Sequence, residues 1–307
     1  MTGKNETAKP TIGIALGSGS ARGWSHIGVL QQLSAMGIEP HIVCGTSIGA
    51  LVGAAYIQGR LDVLGEWVCK LDSKKIVKFL DINLMAKGGF IEGKRLTDFL
   101  AEKIGNGLIE DLPKPFATVA SDLKTGRELW IKKGSVMDAI RSSFALPGIF
   151  TPVKSGDNWL VDGGLVNPVP VSLCKALGAE IVIAVNINGD IVGKHLRKIN
   201  SKKEEEQELT FMDRLSKEIR TRASSMIPKA LETREGAPSL FEVVAGSLNI
   251  MQDRITRSRM AGDPADVVLT PRLAHMGLLE FDRGEEAIVE GRESVKRSLP
   301  ALQSLIS

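Results

Sequence analysis

The sequence predicts an α/β domain built on a mostly parallel central sheet. Residues 11–57 alternate strand, loop, helix, strand, turn and helix, an order that places parallel neighbours in one sheet because each crossover returns over one of its faces. Short apolar runs recur at Phe116–Ala120 and Glu180–Asn186, as strands covered on both faces require. No internal repeat and no Pro/Ser-rich linker divides the chain, so residues 11–307 read as a single domain behind a polar, disordered tail at 1–10.

Thr11–Leu16 carries Ile12 and Ile14 and stops at Gly17, which marks a short buried strand. Gly17–Gly23 is a loop of small residues. From Trp24 the apolar spacing becomes helical, with Ile27, Leu30 and Leu33 on one face, and Gly37 ends the helix. His41–Cys44 is a second strand. A sharp turn follows at Gly45–Gly49, and a second helix runs to about Ile57. Residues 61–110 are mostly helical, with a break at Gly88-Gly89. Phe116–Ala120 and Glu128–Ile131 are strands joined by a turn at Lys124-Thr125-Gly126. Ser135 is placed to cap a helix through Ile140 to Phe144, which Pro147-Gly148 terminates. Trp159–Val161 is a strand that runs into Asp162-Gly163-Gly164. Residues 190–260 form a charged helical excursion, basic across 194–234, which reads as a solvated, salt-bridged face; Phe211, Met212 and Met226 beside Arg220 and Arg222 suit a membrane-facing cap as the alternative. Asp266–Leu269 is a further strand, and Asp282–Leu305 a long terminal helix.

Composition excludes several classes. A net charge of +3 and an aromatic content of 5% give neither the basic field nor the stacking residues of a nucleic-acid binder. The three cysteines are widely spaced with no Cys-x-x-Cys, as in a reduced, cytoplasmic protein. No signal peptide and no apolar run long enough to span a bilayer is visible, so any membrane contact is peripheral, at the inner face. No metal-ligand spacing and no cofactor motif is present, and oligomeric state is not legible.

Three short segments carry chemistry. Gly45-Thr46-Ser47-Ile48-Gly49 has the form of a nucleophile turn. A serine on a tight strand-to-helix turn exposes its hydroxyl, and flanking glycines remove the Cβ clashes such a turn creates. The loop Gly17-Ser18-Gly19-Ser20-Ala21-Arg22-Gly23 lets successive backbone N–H groups converge on an anion or oxyanion. It lacks the third glycine of a dinucleotide fingerprint, since Arg22 stands there, and it lacks the Gly-Lys-Ser/Thr of a phosphate loop. Asp162 ends an apolar strand before Gly163 and Gly164, which suits either a turn-forming aspartate or a base approached closely by other backbone. None of His26, His41, His195 and His275 lies in a segment resembling a catalytic loop.

In this order, and with the serine so early, the three segments resemble the patatin-like phospholipase family. Gly17–Leu30, Ala145–Ile149 and Trp159–Pro168 resemble its small bacterial group named RssA. The resemblance covers residues 11–190 well and 265–300 loosely. It implies a three-layer α/β/α fold and a Ser–Asp dyad, with Ser47 as nucleophile and Asp162 as base. It also implies an oxyanion hole from amides around Ser18–Ser20, Arg22 holding that loop in shape, and a lipid or acyl-ester substrate. The family's loop often reads Gly-Gly-Gly where Ser18-Gly19-Ser20 stand here, which narrows the site. Two other readings stay open: an α/β-hydrolase triad using His275, and a non-catalytic lipid-binding or regulatory protein that keeps the fold.

Overall fold

The computed structural model describes residues 10–72, 75–76, 91–190 and 240–306. The Gly88-Gly89 break, the basic stretch 194–234 and His195 lie outside them. The chain opens with β1 (Ile12–Leu16), a 3-10 turn (Ser20–Trp24), α1 (Ser25–Ala35), β2 (Ile42–Thr46), α2 (Ile48–Ile57) and α3 (Leu61–Cys69). After α4 (Lys94–Ile104) come β3 (Phe116–Asp122), β4 (Glu128–Ile131) and α5 (Val136–Ser143). A hairpin of β5 (Val153–Ser155) and β6 (Asn158–Asp162) leads to α6 (Val171–Ala176) and β7 (Ile181–Val185). The last elements are α7 (Leu240–Gly262), β8 (Val267–Leu269), α8 (Gly284–Arg297) and α9 (Leu299–Ile306).

The strands form one sheet in the order β5-β6-β3-β2-β1-β7-β8, with β4 also paired to β3. The pairs β3–β2, β2–β1, β1–β7 and β7–β8 are parallel; those involving β4, β5 and β6 are antiparallel. Strand alternation separates two apolar cores. Ile14, Leu16, Val43, Ile183 and Val185 face a large core with α1, α2, α3 and α8. Ala15, Cys44, Val119 and Val182 face a smaller one with α6 and Met260 of α7. This is a three-layer α/β/α arrangement with a mostly parallel sheet. Pairing that leaves strands covered on both faces explains why they read as continuous apolar runs.

One feature of the register positions the site. β2 pairs with β3 as far as Thr46 opposite Val119. β4 occupies the other edge of β3 across residues 118–121, so β6 must continue on the edge that β2 leaves. It does so with Asp162 opposite Ala120, one residue beyond Val119. The residue after Thr46 and the residue at the end of β6 therefore arrive side by side.

Several elements depart from the sequence reading. β2 runs two residues further, into the Gly-x-Ser turn, because Gly45 pairs with both Leu16 and Thr118. Part of the expected glycine loop is wound into the 3-10 turn. The hairpin strand β5 and the short helix α6 carry too few residues to show a period. The expected continuous helix over Asp282–Leu305 is broken at Ser298. Pro300 lacks the N–H that would bond four residues back and its ring crowds that carbonyl, so a new helix starts around it. Among the described residues no helix is long and apolar enough to cross a membrane.

Candidate active site

The turn between β2 and α2 is strained at Ser47, which has φ 56° and ψ −121°. A non-glycine residue seldom adopts this conformation, and such outliers cluster where strain serves a site. The surroundings force it. A Cβ on Gly49 would lie 2.2 Å from the Leu16 carbonyl oxygen, so α2 packs its first turn directly onto the backbone of β1. The Ser47 amide donates to Ser143 Oγ at 2.8 Å, and Ser143 Oγ donates in turn to the Val119 carbonyl at 2.6 Å. One buried hydroxyl thus ties the turn to β3.

Ser47 Oγ donates to Asp162 Oδ2 at 2.6 Å. Both residues are buried, and the other carboxylate oxygen accepts from the Gly164 amide at 2.6 Å. The Asp162 backbone is pinned on both sides, its N–H donating to the Ala145 carbonyl and its carbonyl accepting from Ser121 Oγ. Burial pushes the Asp162 carboxyl up to about 6; its two hydrogen bonds, which favour the charged form, only partly offset that. The glycine pair makes the approach possible: a Cβ on Gly163 would meet the Val119 carbonyl oxygen at 2.2 Å.

The loop after β1 lies beside this pair because Leu16 is in register with Gly45. Three of its amides are already used: Gly17 N–H donates to Val185, Ser18 N–H to Pro168 and Ala21 N–H to Leu278. The Ser18 amide, expected among the available donors, is therefore engaged. The Gly19 and Ser20 amides have no acceptor among the described residues. Arg22 is buried; its Nε donates to the Gly19 carbonyl at 3.4 Å and its guanidinium reaches Asn249 Oδ1 of α7 at 2.8 Å. Gly23 lies in the 3-10 turn against Ile48. His26 is fully buried and held neutral, its pKa lowered by burial to about 4. Its Nε2–H therefore donates to the Gly17 carbonyl at 2.7 Å and fixes the first peptide of the loop.

Sequence reading missed three contributors. Ser143 lies in a predicted helix with no motif around it. Gln252 Nε2 of α7 donates to Ser18 Oγ at 3.4 Å, and its Oε1 accepts from Asn188 Nδ2 at 2.8 Å, while Asn188 also donates to the Ser18 carbonyl. The serine of the altered glycine loop is thereby gripped from two later segments. Conversely, no described histidine is hydrogen-bonded to Ser47. His41 accepts from the Ile12 amide, and His275 pairs with Glu286 at 2.6 Å.

A family model described as patatin-like phospholipase matches residues 14–175, which include the turn, the loop and Asp162. The chain belongs to the patatin-like phospholipase family. An uncharacterized NTE family protein of Mycobacterium tuberculosis is 30% identical over 338 residues, covering 97% of this chain and 93% of the relative. Neuropathy target esterase sws of Drosophila melanogaster is 34% identical over 185 residues, 58% of this chain and 13% of that one. Patatin-like phospholipase domain-containing protein 6 of Mus musculus is 33% identical over the same length, again 58% and 13%. This patatin-like chain thus aligns over nearly its whole length with the bacterial relative and over one segment with the two animal proteins.

Proposed function

We propose that the chain is a serine acyl hydrolase acting on lipid or acyl-ester substrates through Ser47 and Asp162. The observation that carries this reading is the 2.6 Å hydrogen bond from Ser47 Oγ to a buried carboxylate whose pKa is raised to about 6. A carboxylate near its ordinary value is a weak base for a serine hydroxyl; one raised toward neutrality is better matched and still ionised at neutral pH. Membership in a phospholipase family, and an esterase among the relatives, support an ester of a lipid as the substrate class.

In this mechanism Ser47 Oγ attacks the ester carbonyl carbon while its proton passes to Asp162 Oδ2. The developing oxyanion is held by the Gly19 and Ser20 amides, loop donors without an acceptor among the described residues. The tetrahedral intermediate collapses, the C–O bond of the ester breaks, and the alcohol leaves with the proton held by Asp162. Water then attacks the acyl-serine with Asp162 again taking the proton; the C–Oγ bond breaks, Asp162 returns the proton to Ser47 Oγ, and the free acid departs. The strained φ at Ser47 keeps the hydroxyl aimed outward from the turn, and Arg22 and His26 hold the loop carbonyls away from the oxyanion position.

A fluorophosphonate probe tests this. Wild type is expected to be labelled, and Ser47→Ala and Asp162→Ala to remain unlabelled while folding normally. Labelling of Ser47→Ala would place the nucleophile elsewhere, and a folded but unlabelled wild type would favour a lipid-binding role without catalysis.

A further inference from the structure

We infer that the outer face of α7 is a docking surface for an anionic phospholipid bilayer. The helix is built inside out. Gln252, Asp253 and Thr256 are 6%, 1% and 2% exposed, whereas Val243, Val244, Ile250 and Met251 are 48%, 43%, 57% and 48% exposed. The apolar positions recur seven residues apart, so they form one stripe along the helix. A surface helix of a water-soluble domain turns its apolar stripe to the core. Here the polar stripe faces inward because it has work there, with Asn249 on Arg22 and Gln252 on Ser18 and Asn188.

Charge identifies what covers the stripe. Arg254 is exposed one turn beyond Ile250 and Met251, and Arg257, with a side chain 57% exposed, follows one turn later. Asp253, just before Arg254, has its side chain turned inward, where it pairs with Arg257 Nε at 2.8 Å; Arg254 has no ion pair among the described residues. The outward face thus joins apolar side chains to arginines, the combination that inserts at an interface of hydrocarbon and anionic headgroups. A second copy of the chain fits less well, since a two-fold contact over this stripe would take Arg254 of both copies out of water against apolar side chains. Position gives the surface a purpose. A Cβ built on Gly164 would lie 2.5 Å from Gln252 Nε2 and 2.8 Å from Asp162 Oδ1, so α7 packs beside the Asp162 end of the Ser47–Asp162 pair. Docking through this helix would bring that pair to the bilayer. This purpose rests on the acyl-hydrolase reading; the binding itself does not.

The test uses the full chain carrying Ser47→Ala, co-sedimented with phosphatidylglycerol-containing vesicles and with pure phosphatidylcholine vesicles. Binding to the anionic vesicles, weakened by salt, is expected. Adding Ile250→Ser and Met251→Ser should lower the partition coefficient by about tenfold or more, since two large side chains no longer leave water. In a wild-type background the same two substitutions should leave turnover of a soluble short-chain ester unchanged. Absence of soluble turnover would sink the hydrolase reading alone. The docking inference is overturned by a wild-type surface that ignores anionic vesicles, or by a double variant that binds them equally well. A double variant that changes only the oligomeric state in sedimentation velocity would make a second copy the occupant and overturn it too.

Discussion

Replacing Asp162 with asparagine should make the protein more stable and inactive, and the gain should depend on pH in a defined window. In the unfolded chain the carboxyl titrates near 3.8, whereas in the fold burial holds its proton up to about 6. Below the lower value both states are protonated and burial carries no charge penalty. As pH rises through the upper value the folded state must hold a buried carboxylate, and the stability present at low pH is lost. About two pH units correspond to about 3 kcal/mol. Asparagine is neutral throughout and keeps both hydrogen bonds, its carbonyl accepting from the Gly164 amide and its NH2 donating to Ser47 Oγ. Thermal melts of wild type and Asp162→Asn across this range should therefore coincide near pH 4. Above pH 6 they should diverge, with the variant melting about 5 °C higher for a chain of this size. The same group should govern catalysis, so wild-type kcat/KM on a soluble ester should rise as pH increases through about 6. A variant no more stable than wild type above pH 6, or one offset by the same amount at every pH, would refute burial of the charge as the origin of the raised pKa.

The glycine pair should separate fold from chemistry: Gly163→Ala drives a methyl into the Val119 carbonyl and should prevent soluble expression. Gly164→Ala meets only the ends of the Gln252, Asp162 and Ser18 side chains, and should fold while losing about 10–100-fold in esterase activity as the carboxylate is displaced. His26→Leu should cost about 1–3 kcal/mol by leaving the Gly17 carbonyl without its donor. Because the His26 pKa falls from 6.5 to about 4 in the fold, wild-type stability from this group is present above pH 6.5 and lost as pH falls toward 4; equilibrium denaturation of the variant should lack that component.

Much of this was already in the amino-acid sequence. β1, β2, β3, β4 and β7, the helices after the glycine loop and the serine turn, and the capped helix that Ser135 starts follow from local apolar periodicity and from Gly, Ser and Pro at their ends. Such signals depend on neighbours a few residues apart. The serine on a glycine-flanked turn was legible for the same reason, whereas the break at Ser298 before Pro300 was not, because the apolar spacing continues through it. Other features depended on partners far away in the chain. Asp162 meets Ser47 only because β6 takes over the edge of β3 where β2 ends, a consequence of register. Its raised pKa comes from burial, which no local pattern encodes. The loop amides at Gly19 and Ser20 are singled out only by which carbonyls the others find, at Val185, Pro168 and Leu278. Gln252, more than two hundred residues from Ser18, reaches that loop because tertiary packing turned the polar face of α7 inward, and hydrogen-bond partners at that separation leave no periodic trace in the sequence.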